Sequence, residues 1–225
     1  MLERIERLAV VAPHPDDEVL GCSGTIARCV SNGVEVHVIF ATTGIPHLVS
    51  NEQHQQIRAE ARAAHTILGV ANTHFLDLPA TRLDTVPHAD VNRAIAAVLK
   101  TIGPDTVLMP FFGDIHLDHQ LLFSSTLVAT RPNQTGYPLR LWAYETLSET
   151  NWNAPYVTPS FTPTLFVDIT STLDCKLAAI KAYRSQLRSF PHERSVEALE
   201  ALARIRGATV HLQAAEGFVL LRSVL

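Results

Sequence analysis

Little in this chain of 225 residues invites a disulfide, a membrane or a polyanion. Cysteine occurs three times, as Cys22, Cys29 and Cys175. The number is odd and no Cys-x-x-Cys occurs, which argues against both a disulfide framework and a thiolate zinc site. Small buried hydrophobes in a reducing cytosol are the simpler reading. No apolar stretch reaches the length of a bilayer. The segment from Met1 to Val11 mixes Glu3, Arg4, Glu6 and Arg7 with a short apolar run and lacks a signal-peptide h-region. Lys and Arg are nowhere clustered, and the formal charge is -4, so no nucleic-acid footprint is present. A cytoplasmic protein without a membrane or nucleic-acid partner is expected. No Gly-x-Gly-x-x-Gly follows the first apolar run, and no Walker loop, His-Glu-x-x-His or Gly-x-Ser-x-Gly occurs.

What the chain does have is core-forming material. Hydrophobic residues make up 47% and charged residues 18%, enough for one large core and too apolar for wholesale disorder. Short apolar runs at Leu8–Ala12, Val34–Ala41, His74–Leu78, Asp105–Pro110 and Leu139–Glu145 read as strands. Between them lie helical patterns: Asp16 to about Ser31, Asn51–Leu68, Ala89–Ile102 and a stretch ending near Thr130. The alternation predicts an α/β, Rossmann-like fold, a mostly parallel sheet flanked by helices in strand order 3-2-1-4-5. Glu149–Pro163 reads as a surface excursion. Thr164–Ile169 is a further strand, Leu173–Leu187 and Ser195–Arg206 are helices, and Phe218–Val224 is a final edge strand. One domain over 1–225 is expected, with a core over about 1–145 and further elements over about 146–225.

Two segments carry chemistry. Pro13-His14-Pro15-Asp16-Asp17-Glu18 follows the first strand, and Gly113-Asp114-Ile115-His116-Leu117-Asp118-His119 follows the fourth. In the expected sheet those strands are neighbours, and open α/β sheets bind ligands at the carboxyl ends that flank such a switch point. The two clusters are therefore expected to converge there. His14 and Asp17 can face one centre and suit a divalent metal such as zinc, with a third ligand from the second cluster. Three protein ligands leave a position for water, whose pKa on zinc falls towards ~7, so the adjacent Asp16 is an adequate base. His116 can polarise a carbonyl or stabilise its oxyanion, with Asp118 orienting and charging it. Either cluster alone reads as a helix start complementing its dipole; their joint placement favours a site.

The stretch VVAPHPDDEVLGCSGTIAR resembles the signature of the PIG-L/LmbE-like N-deacetylases, and GDIHLDHQ is similar to their second motif. Weaker similarity runs through Arg58–Gly69, Phe75–Asp84, Tyr144-Glu145 and Tyr183-Arg184-Ser185-Gln186. The resemblance implies a zinc-dependent hydrolase that removes an acyl group, usually acetyl, from an amino-sugar nitrogen. It implies one zinc, or another divalent metal, held by His14, Asp17 and His119. It assigns Asp16 as general base, His116 as the oxyanion-stabilising residue and Asp118 as its partner. It also implies that the C-terminal part, with His192 and Glu216, closes over the site. Ala80 departs from the pattern where an acid is expected, and the loop Thr42–Gln53 is idiosyncratic.

Arg82, Tyr144, Glu145 and His192 are candidate substrate contacts. Tyr144 and Glu145 are placed there because they end the fifth strand on the productive side of the sheet. His37, His65 and His74 read as packed or solvated, His47 and His54 as loop residues, and Trp142 and Trp152 as core or pocket wall. The apolar C-terminal strand offers an edge for homo-oligomer formation. Two other functions remain open: a Rossmann-like module binding a nucleotide or sugar-nucleotide without hydrolysis, and different carbonyl chemistry on the same metal.

Overall fold

A computed structural model describes residues 5–44, 50–133 and 135–224. His47 and part of the Thr42–Gln53 loop lie outside the described residues. Among the described residues, seven strands form one sheet: β1 (Arg7–Ala12), β2 (Glu35–Thr42), β3 (Asn72–Leu78), β4 (Thr106–Pro110), β5 (Arg140–Tyr144), β6 (Leu165–Asp168) and β7 (Ala215–Ser223). Their order is β3-β2-β1-β4-β5-β7-β6. The first five are parallel; β7 pairs antiparallel with both β5 and β6. The expected order 3-2-1-4-5 is present and then extended. The C-terminal strand is not an edge: it lies between β5 and the four-residue β6, which takes the outer position.

The strands are apolar because both faces are covered. Leu8, Val10 and Ala12 of β1 face one hydrophobic cluster with Val36, Val38 and Phe40; Ala9 and Val11 face the other with Ile39, Val107 and Met109. This is the period-two alternation of a strand buried twice. On the first face lie α1 (Asp17–Ser31), α2 (Asn51–Leu68), α5 (Leu173–Ala182) and α6 (Val196–Thr209); on the second lie α3 (His88–Ile102) and α4 (Leu117–Ala129). α2 begins at a capping box: Ser50 Oγ accepts from Gln53 N while Ser50 N donates to Gln53 Oε1. It ends at Gly69, whose φ of 74° needs no Cβ. α5 stops at Ala182, short of the expected Leu187, and the chain continues as turns.

α1 is broken at Cys22, where φ is -144° and ψ 19°. A break leaves carbonyls without donors on one side and amides without acceptors on the other. The ammonium of Lys176 on α5 donates to Val19 O and Leu20 O, and the Glu216 carboxylate of β7 accepts from Gly24 N and Thr25 N. Lys176 Nζ and Glu216 Oε1 are themselves 2.7 Å apart. Each charge sits at the half-helix end whose dipole it complements. Close packing also fixes α1: a Cβ on Gly21 would come within 2.3 Å of Tyr144 Cδ2.

Candidate active site

The loops after β1 and β4 meet at the carboxyl edge of the sheet, as the topology requires. The first leaves β1 through Pro13, whose carbonyl accepts from both Thr42 N and Thr42 Oγ1 of β2. It then turns tightly: Asp17 N donates to His14 O, and His14 N donates to Asp17 Oδ2. Asp16, which caps α1, has φ 120°, an unfavourable region for a residue with a Cβ. The buried Glu18 stabilises this turn: its Oε2 accepts from Asp16 N, its Oε1 from Tyr183 Oη at 2.6 Å, and His65 Nε2 lies 3.2 Å from Oε1.

Asp17 Oδ2 lies 3.2 Å from His14 Nδ1 and 3.3 Å from His119 Nε2. The ligand atoms of these three residues lie within 4.8 Å of one another, so they can hold a metal ion. His119, the third residue of α4, is fully buried. Its Nδ1 is 2.8 Å from Asp114 Oδ2, and Asp114 Oδ1 accepts from Thr150 Oγ1 at 2.6 Å. That carboxylate fixes the ring and leaves Nε2 to face the cluster, the usual arrangement behind a metal-binding imidazole. Among the described residues, Nε2 has no hydrogen-bond partner, although it is buried. A buried ring nitrogen aimed at a carboxylate and a second imidazole fits a divalent cation.

The electrostatics of the cluster favour positive charge beside Asp17. Burial opposes ionisation of both partners, yet Asp17 is held well below the usual carboxylate range by His119 and His14, and His119 well above the usual imidazole range by Asp17 and Asp114. His14 is likewise raised to about 9 by Asp118 and Asp17 against burial. Beside the cluster, burial pushes Asp16 up to about 8 against the pull of Arg194, and Glu149 up to about 7.

His116 does not form the expected ion pair with Asp118. The Asp118 carboxylate lies 3.0 Å from His14 Nε2 and accepts from Thr81 N and Leu83 N. Only the backbone of Asp118 reaches His116: its N–H donates to His116 Nδ1 at 3.1 Å. A ring nitrogen that accepts carries no proton, which makes His116 the Nε2–H tautomer. Burial and the neighbouring His14 and His119 lower it to about 4, so the imidazole is neutral.

A cavity of about 380 Å³ opens over these groups, lined by His14, Asp16 and His116 together with Thr42, Gly44, Ile57, Ala80, Thr81, Glu149, Gln186 and Arg194. All six residues of the two motifs therefore converge. The four candidate substrate contacts do not line it. Arg82 is exposed before a short 3-10 turn. Tyr144 is fully buried, and its hydroxyl donates to Val11 O. Glu145 is engaged by Arg206 through two hydrogen bonds. His192 is exposed, its Nδ1 accepting from Arg194 N. Trp142 is core, but Trp152 is half exposed and does not line this cavity. Glu216 clamps α1 and does not close the site.

Sequence reasoning passed over Arg194, Glu149 and Gln186 as cavity residues, and Asp114 behind His119. Asp114 had a signal, a second carboxylate shortly before the histidine in the same motif. Arg194, just beyond the chosen His192, had none.

Comparison with known proteins adds to this geometry. The family model described as PIG-L: GlcNAc-PI de-N-acetylase matches residues 9–130, which include both motifs. The 1D-myo-inositol 2-acetamido-2-deoxy-alpha-D-glucopyranoside deacetylase of Mycobacterium sp. (strain JLS) is 28% identical over a 242-residue alignment, covering 87% of this chain and 79% of that protein. The diacetylchitobiose deacetylase of Thermococcus kodakarensis is 28% identical over 205 residues, covering 84% and 72%. The crystal structure of the conserved protein TT1542 from Thermus thermophilus superposes with a TM-score of 0.79 at 30% identity, over 98% of this chain and 96% of that one.

Proposed function

The chain belongs to the PIG-L family (GlcNAc-PI de-N-acetylase), a family of amide C–N hydrolases, and on that premise we propose that it is a zinc-dependent enzyme removing an acetyl group from the nitrogen of an amino sugar or related small metabolite. The observation that carries the reading is the buried, unpartnered Nε2 of His119 facing Asp17 and His14, with Asp16 at the next position. His14, Asp17 and His119 would hold one zinc per chain. When bound, that ion acts as a Lewis acid and lowers the pKa of water towards ~7.

The residues then divide the work. Asp16 takes a proton from the attacking water as its oxygen bonds to the acyl carbon. The same carboxyl delivers that proton to the nitrogen as the C–N bond breaks, leaving acetate and a free amine. His116 donates from Nε2–H to the oxygen that gains negative charge. A neutral imidazole suffices, because a fixed donor in a half-buried site costs no reorganisation during the reaction. Asp118 holds His14, through 3.0 Å to Nε2, and ties α4 to the Thr81–Leu83 segment. Nucleotide binding does not suit this site, because the carboxylates of Asp16, Asp17 and Asp118 crowd the place where a phosphate would sit.

The hydrolase is one unit over 1–225, with elements of 146–225 contributing Glu149, Gln186 and Arg194 to the cavity. Its three unpaired cysteines fit a reducing cytoplasm, and no helix among the described residues is long and apolar enough to cross a membrane. The test is acetate release from a panel of N-acetylated amino sugars by the zinc-loaded and the chelator-treated chain. Equal turnover in the two preparations rejects zinc dependence; no turnover across the panel by the loaded chain rejects the substrate class.

A further inference from the structure

We propose that Arg194 is a positioning residue for Asp16, holding one carboxylate oxygen so that the other is presented to the reacting water. The proposal rests on the reading of Asp16 as general base. Arg194 lies in the turn segment between α5 and α6, and its side chain is 23% exposed. Its Nη1 donates to Asp16 Oδ2 at 3.0 Å and lies 3.3 Å from Gln186 Oε1. Its Nε donates to Ser148 Oγ at 3.0 Å, and its Nη2 is 3.5 Å from Glu149 Oε1. The planar fork is thus fixed at several points on the α5–α6 segment and the 148–149 loop before it reaches Asp16. A lysine offers a point charge and cannot reproduce this.

Asp16 needs such an anchor. Its backbone is held in the left-handed region by the bond from its N–H to Glu18, so the carboxylate emerges in a fixed direction. Rotation about the terminal torsion remains, because a carboxylate is two-fold and its rotamer well is broad. Among the described residues, only Arg194 bonds the carboxylate, through Oδ2; Oδ1 receives no hydrogen bond and is the oxygen left for water. The geometry joins the C-terminal third of the chain to the reaction through one guanidinium, 178 residues from its partner.

The experiment makes Arg194→Ala and Arg194→Lys in the wild-type chain and in Asp16→Asn, each assayed zinc-loaded on N-acetylated amino sugars, with zinc content measured alongside. Expected are a loss in kcat of about tenfold to a hundredfold for Arg194→Ala, the scale of misplacing a reacting group, unchanged KM and zinc content, and partial recovery in Arg194→Lys. In the Asp16→Asn background the arginine change should add nothing, because both act through one carboxylate. An additive loss there, or a loss confined to KM, overturns the proposal. A crystal structure of each chain reads the same point without turnover: Asp16 in one orientation in the wild type, rotated or split in Arg194→Ala. An unmoved carboxylate also overturns it. Full activity in Asp16→Asn alone would instead remove the reading of Asp16 as base, whereas an inactive Asp16→Asn beside a fully active Arg194→Ala removes only the role of Arg194.

Discussion

Two buried ionic clusters lie at either end of the first half of α1, and they differ in completeness. At the break, all three donors of Lys176 are used, on Val19 O, Leu20 O and Glu216, and both oxygens of Glu216 accept from protein groups. At the helix start, His119 Nε2 makes no hydrogen bond among the described residues and only lies 3.3 Å from Asp17 Oδ2, which accepts from His14 N and is 3.2 Å from His14 Nδ1. Satisfied buried charge serves as a fastener; buried charge with one place left open serves as a socket. The same short helical segment, Asp17 to Gly21, is held by the first so that it can carry the second.

The sharpest way to break this contrast is to remove a wall of the socket. His119→Ala should lose nearly all bound metal and, with it, activity; unchanged metal content by elemental analysis would show that the ligands lie elsewhere. Next comes Asp16→Asn, which should keep the metal and lose roughly two to four orders of magnitude in kcat, the scale of general-base removal. Metal loss in that variant would place Asp16 among the ligands. For the fastener, Glu216→Ala leaves Lys176 charged and unpaired and strips two amides of their acceptor. It should cost about 3–5 kcal/mol in denaturant-induced unfolding, and an unfolding midpoint equal to the wild type would show that the pair holds nothing.

A smaller effect separates the two clusters by their protons. Against burial, the carboxylate neighbours raise His14 to about 9 and His119 above the usual imidazole range, so both rings favour holding protons in the chain without metal. Zinc must displace them, so binding should release protons and weaken as pH falls. Calorimetry in buffers of differing ionisation enthalpy reads this directly; a buffer-independent heat at neutral pH contradicts it. The smallest effect is expected from Tyr144→Phe. It removes one buried hydrogen bond to Val11 O, for about 1 kcal/mol of stability, and leaves KM unchanged, because the hydroxyl does not reach the cavity. A raised KM would return Tyr144 to the substrate.

What the sequence made legible follows from the range of the signals. The end of α2 was legible because its stop, Gly69, is local chemistry. The convergence of the two motifs was legible because strand order follows from alternation. Three things were not. The place of β7 depends on which neighbour a long connection reaches. The direction of Asp118 was misjudged because His14, remote in the chain, competes for it with the nearby His116. Tyr144 was placed at the right end of β5, but its side chain goes to the face that packs α1, and only pleat parity against a known core decides that.

The contact between Gly21 and Tyr144 sets a rule for how this enzyme can drift. A Cβ at position 21 would meet the ring at 2.3 Å, so neither position can gain volume alone, and loss of the ring leaves a void beside α1. The backbone carbonyl of Glu145 would lie 2.9 Å from the same Cβ, so trimming Tyr144 alone does not admit alanine at 21, and descendants of this chain should keep glycine there. An unvaried glycine in the first half of α1, whatever stands opposite it in β5, is the trace such a history would leave.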